Sequence, residues 1–132
     1  VGGGIQQLLG YPYAEGWDQA PSERKKFLDW IAKKGSRVLF LSGDVHVSEL
    51  YHVPLGNGVF AWELTSSALA NGSRYSPAFL ALQRKERKWC VVRPNFCVVE
   101  VDIPEGDIGA GTVRFQCIGA DGDLEQETRR SF

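Results

Sequence analysis

The residues best equipped for chemistry are Asp44 and His46, in the stretch Val38-Leu39-Phe40-Leu41-Ser42-Gly43-Asp44-Val45-His46. A carboxylate oxygen is a hard donor and an imidazole nitrogen a borderline one. Two such donors separated by one residue suit a first-row metal ion or a metal pair. The apolar run before them predicts a strand buried on both faces. Gly43 is the expected place for the backbone to turn. Asp44 and His46 would then stand in a loop at the carboxyl end of that strand, where open α/β sheets place their ligands. Asp-x-His is also common by chance, and a strand-end loop with a capping Asp and an exposed His has the same spelling.

The elements that must position this loop are legible around it. Pro21 to Lys34 predicts a helix: Pro suits the first turn, Glu23 the positive end, Lys33 and Lys34 the negative end, and Gly35 the stop. Phe27, Leu28 and Ile31 form its apolar stripe, with Trp30 at the edge. Downstream, Leu50–Val53 and Val59–Leu64 read as hairpin arms around Gly56-Asn57-Gly58. Pro77 to Lys88 is expected to contain a helix covering Phe79, Leu80 and Leu82. Alternation then predicts strands at 98–102 and 112–118. Leu124 to Phe132 reads as a last strand or a tail. Residues 1–16 read as an irregular lead-in, with one helical turn possible at Ile5 to Leu9. The order predicts an α/β layered arrangement whose second half is an antiparallel sheet.

Composition excludes several classes. The chain has 132 residues, of which 43% are apolar and 23% charged, an ordinary globular balance for one domain. Its 15 basic and 16 acidic residues leave a net charge of −1, so no nucleic-acid-binding surface is implied. No apolar run approaches the roughly 20 residues of a membrane span. Cys90, Cys97 and Cys117 lack the paired spacing of a disulfide framework and read as thiols, the last two in strands. Gly2 to Gly4 lacks the strand and the Lys-Ser/Thr end of a phosphate loop. No Gly-x-Ser-x-Gly elbow is present. Arg84 to Lys88 reads as a solvated basic helix end, and His52 as an exposed, idle side chain.

Four further patches accompany the Asp44/His46 loop. Trp17-Asp18 and Glu23-Arg24 lie upstream. Ser48-Glu49-Leu50, Trp62-Glu63-Leu64-Thr65-Ser66-Ser67 and Asn95-Phe96-Cys97-Val98-Val99-Glu100-Val101-Asp102 follow in order. With Ser42-Gly43-Asp44-Val45-His46, this ordered set resembles the alkaline phosphatase D (PhoD-like) family of metallophosphatases. The resemblance runs from about Trp17 to about Gly122, a family-matching core at 17–122. It implies a layered β-sandwich with flanking helices, related to calcineurin-like phosphoesterases, of which residues 1–132 would be the C-terminal part of a single domain.

The activity implied is metal-dependent hydrolysis of phosphoesters, mono- or diesters, with two or more divalent or trivalent metal ions, iron and calcium in the family. Asp44 and His46 are carried over as catalytic and metal-site residues. Glu49, Trp17, Ser66 and Asn95 are carried over as supporting or substrate-side residues. Each has a plain structural alternative: Glu49 pairing with an arginine such as Arg24, Trp17 packing on the helix, Ser66 bonding loop backbone, Asn95 starting a strand. Glu15, Cys97 and Asn71 stand where the family more often shows Asp, Gly and His. Two donors are too few for a two-metal site. The resemblance therefore makes the missing N-terminal half of the same domain a partner and leaves these residues inactive alone. It also favours a secreted or periplasmic setting. The contrasting expectation is a non-catalytic β-rich module that retains the same frame.

Overall fold

The structure is a computed structural model, and it describes residues 1–11, 15–70 and 84–131. Within them lie one α-helix, α1 (Pro21–Lys34), and seven strands: β1 (Val38–Ser42), β2 (Ser48–Gly56), β3 (Val59–Thr65), β4 (Arg87–Val91), β5 (Asn95–Asp102), β6 (Thr112–Gly119) and β7 (Leu124–Ser131). Two short 3-10 turns, Trp17–Gln19 and Ile108–Ala110, complete the regular elements. The architecture is mostly β, in place of the expected α/β balance.

The strands form two sheets, β1-β3-β2-β4 and β5-β6-β7. β1 runs parallel to β3, and every other pairing is antiparallel. Local chemistry explains the joins. Gly35 adopts a left-handed φ of 65°, and the Gly35 and Ser36 N–H groups bond back to Ala32 and Ile31, ending α1 in a Schellman turn. Asn57 and Gly58, at φ 54° and 74°, make the two-residue turn that joins β2 to β3.

Residues from both sheets share one core. Leu50, Leu64, Trp89 and Val91 of the larger sheet meet Val113, Phe115 and Cys117 of β6. The other face of the larger sheet packs on α1 and the lead-in through Phe40, Ala61, Ile31 and Leu8. Period-2 alternation assigns the faces: Leu39 and Trp62 look toward the second sheet, Phe40 and Ala61 toward the helix.

Several expectations are corrected. β1 is at one end of the sheet order and is not buried on both faces: Leu41 is 44% exposed. Its free edge takes the first residues of the chain, the Val1 amino group reaching the Leu39 carbonyl while Gly3 N–H reaches that of Leu41. The lead-in has no helical turn at Ile5 to Leu9. It is nevertheless interior, with Gln6, Gln7, Leu8 and Tyr11 buried. Leu124–Ser131 is a strand, not a tail. Residues 71–83, with Asn71 and most of the expected helix, lie outside the described residues. At 87–88, where that helix was to end, the chain is already in β4, because Trp89 and Val91 alternate into the core. The basic cluster there is only partly a solvated face: Lys85 and Lys88 are exposed, and the two arginines are not. Arg84 bonds the Gly10 carbonyl at 2.6 Å and stacks over Tyr11, and Arg87 enters the interior.

Candidate functional site

β1 carries the chain to Ser42, and residues 43–47 bridge to β2. The sharp turn does not fall on the glycine. Asp44 and His46 take left-handed φ values of 71° and 59°. For residues with a Cβ this costs about 1–2 kcal/mol each, least for Asp and Asn types. Packing imposes the cost: Val45 and Val47 are both buried, so the residues beside Val45 are turned outward. Asp44 and His46 are both exposed. Among the described residues neither side chain has a hydrogen-bond or ion-pair partner.

Neighbouring loops brace this turn through backbone. The His46 N–H donates to Ser67 Oγ at 3.3 Å, and the Ser67 N–H to Ser48 Oγ at 3.4 Å. The Ser66 N–H donates to the Ser42 carbonyl. Ser66 Oγ in turn accepts from Cys97 N–H at 3.1 Å, tying the loop to β5. Asn95 is buried; its N–H bonds the Ala68 carbonyl, its amide donates to the Arg93 carbonyl, and its Oδ1 accepts from the Cys117 thiol. Asp44, His46, Ser66 and Asn95 therefore gather at one end of the two sheets. Ser66 and Asn95 hold the frame there.

Glu49 and Trp17 do not join that group. Glu49 points to the helix-side face and is fully buried. It accepts from Tyr11 OH at 2.6 Å, Tyr51 OH at 2.8 Å, Gln6 Nε2 at 3.2 Å and Arg87 Nη1 at 3.2 Å. Its arginine is Arg87, not Arg24, which instead caps the Gln7 and Leu8 carbonyls. Burial, and then the Glu49 charge, push both tyrosine hydroxyls well above their ordinary range. Glu63, also fully buried on this face, accepts from the Gln7 and Leu8 N–H groups at 2.7 and 2.8 Å. Burial raises its carboxyl above the usual range. Trp17 packs its ring on Phe27 of α1 at 5.4 Å.

Sequence reading missed the partners of Glu49. Gln6, Tyr11 and Arg87 lie about forty residues from it and share no pattern with it. Ser67 was within reach, since it stands in the same Thr-Ser-Ser run as Ser66.

At the opposite end of the sheets lies a groove of about 410 Å3, lined by Val38, Leu39, Phe60, Trp62, Val101 and Val113 among others. It shares no lining residue with the Asp44/His46 loop. His52 is not idle there: its ring stacks on Trp62 at 4.2 Å and on Phe60 at 4.8 Å. Burial, with Lys88 and Arg130 nearby, lowers its pKa.

A solved structure titled "Structure of PhoD" shares this fold. The similarity has a TM-score of 0.58 at 14% sequence identity and covers 98% of this chain and 27% of that one. This chain thus spans about a quarter of the PhoD chain's length. No protein-family model and no curated protein matches the sequence.

Asp44 offers carboxylate oxygens and His46 an imidazole nitrogen, both open to solvent. Among the described residues no third His, Cys, Asp or Glu joins them in a metal-holding cluster. The pair fits a share of a coordination shell and falls short of the four ligands of a closed site. No helix among the described residues is long and apolar enough to cross a membrane.

Proposed function

We propose that this chain contributes Asp44 and His46 to the metal site of a phosphoester hydrolase. On this reading the fold is one part of a layered, calcineurin-like frame, and the remaining ligands come from polypeptide beyond residues 1–132. One observation carries it. Two chemically suitable donors stand exposed, without side-chain partners among the described residues, on a strained turn at the end of a strand, in a fold shared with PhoD. Strain of this kind is retained where surrounding structure over-determines it, and it clusters at functional sites.

Asp44 would hold cations through a carboxylate oxygen and His46 through one imidazole nitrogen, which must be unprotonated to ligate. Bound there, two or more ions (iron and calcium by resemblance) would neutralise phosphate oxygens and acidify a water aligned opposite the leaving group. The chain's own part is to aim these two donors outward and brace the turn through Ser67 and Ser48. Glu49 is set apart from this work, because it is fully buried and already accepts on both oxygens. A secreted or periplasmic setting belongs to the same reading and rests on the resemblance.

In the longest polypeptide containing this chain, Asp44→Ala and His46→Ala should each lower kcat/KM on p-nitrophenyl phosphate or bis-p-nitrophenyl phosphate by orders of magnitude. Unchanged turnover in both variants would remove these residues from the site. Absence of turnover in every form, with iron and calcium supplied, would favour the non-catalytic module. Residues 1–132 alone should be nearly inactive, and robust turnover would contradict a site shared with further polypeptide.

A further inference from the structure

The two strands of the smaller sheet place two cysteines opposite each other. Cys97 of β5 and Cys117 of β6 are direct partners in the antiparallel register. Such partners have Cα atoms about 4.5 or 5.5 Å apart, whichever kind of pair they form. Both values fall inside the window that a disulfide spans without moving backbone. The side chains also share a face: Cys117 is buried in the core between the sheets, and Cys97 packs against the same cluster. The Cys117 S–H itself donates to Asn95 Oδ1 at 3.2 Å.

Their environments differ in a useful way. Cys97 is only half-buried, and the Ser48 and Ser66 hydroxyls lie against its sulfur. The neighbouring Cys117 thiol, and then the Ser48 and Ser66 hydroxyls, hold the Cys97 thiol below its ordinary range. Cys117 is fully buried and is pushed up, by the neighbouring Cys97 thiol and by burial. Cys90, on β4, is raised to about 12 by burial and then by Glu49. The thiolate is the nucleophile in disulfide exchange, so Cys97 is the attacking group and Cys90 is inert.

We propose that Cys97 and Cys117 form a cross-strand disulfide by exchange with a low-molecular-weight disulfide. The Cys97 thiolate attacks one sulfur of the reagent RSSR. A Cys97–SR bond forms, the reagent's S–S bond breaks, and RS⁻ leaves and takes up a proton. Cys117 attacks Cys97 Sγ and passes its proton to the departing RS⁻. The protein S–S bond forms as the second RSH leaves. The protein loses two electrons and two protons, and the reagent is reduced to two thiols. The product pins β5 to β6 directly beneath the loop that carries Ser66. It also withdraws the Cys97 sulfur as a partner of Ser48 and Ser66.

The test uses the folded chain incubated with glutathione disulfide, then unfolded, alkylated and analysed by intact mass and peptide mapping. The expected product takes up alkyl groups on one of its three cysteines, Cys90, and carries a cross-linked peptide joining Cys97 to Cys117. Cys90→Ser should form the same link. Cys117→Ser should stop at a glutathione adduct on Cys97, and Cys97→Ser should lose reaction with the reagent. Full alkylation of the wild type, a link through Cys90, or a wild-type product that stops at the glutathione adduct would each overturn the proposal.

Discussion

Two acidic residues five positions apart in the chain meet opposite fates. Glu49 is sealed in the interior with four hydrogen-bond donors around it, whereas Asp44 stands in solvent on a left-handed turn with no described side-chain partner. A buried carboxylate that accepts on both oxygens stabilises the fold and is closed off from a ligand in solvent. A carboxylate held outward against backbone preference stabilises nothing and keeps its donors free. On the proposed reading, burial and partner count separate a structural acid from a functional one, where residue type does not.

The sharpest way to break the comparison is to remove Glu49. Glu49→Ala takes a charged acceptor away from Arg87, Tyr11, Tyr51 and Gln6 in the interior, and should destabilise the chain by about 3–5 kcal/mol. Chemical denaturation of the two proteins measures this, and a loss under about 1 kcal/mol would dissolve the distinction. The turn should answer with the opposite sign. Glycine is at ease at φ 71° and 59°, so Asp44→Gly and His46→Gly should each leave stability unchanged or raise it by up to about 1 kcal/mol while removing the proposed metal donors. A clear loss of stability in either would make the turn structural.

Glu63 sharpens the contrast through pH. Its folded carboxyl titrates above the ordinary 4.5, because burial disfavours the charge. A raised carboxyl means that the folded state binds the proton more tightly than the unfolded chain does. The stabilisation is complete below the ordinary value and is lost as pH rises through the raised one. Glu63→Gln should flatten that part of the stability profile, and an unaltered slope would assign it elsewhere. The smallest effect belongs to His52, whose lowered pKa means that its stacked ring favours the neutral form. Stability should be full above the ordinary 6.5 and decline as pH falls through the lowered value. His52→Phe should remove this decline, and a persisting decline would exclude the histidine.

The same contrast explains what sequence could reveal. Pro21, Gly35 and Asn57-Gly58 act on their own neighbours, so α1 and the hairpin were readable where they stand. Val113, Phe115 and Cys117 announced β6 by alternation. The Asp44/His46 pair was visible because its donors are adjacent, and so was the run beginning Ser66. The Glu49 network was not, since Gln6, Tyr11 and Arg87 reach it from an irregular lead-in and from a strand that begins inside an expected helix. Leu41 misled because an edge strand can be as apolar as a central one. Gly43 misled because the buried Val45 and Val47, and not the glycine, decide where the backbone turns.

Manganese titration of the isotopically labelled chain, read as paramagnetic broadening of backbone amides, tests the central claim most directly. Even weak occupancy should broaden Gly43 through Val47 together with Ser66 and Ser67, and Asp44→Ala with His46→Ala should abolish that broadening. Broadening centred elsewhere, or unchanged in the double variant, would contradict a metal site at this turn.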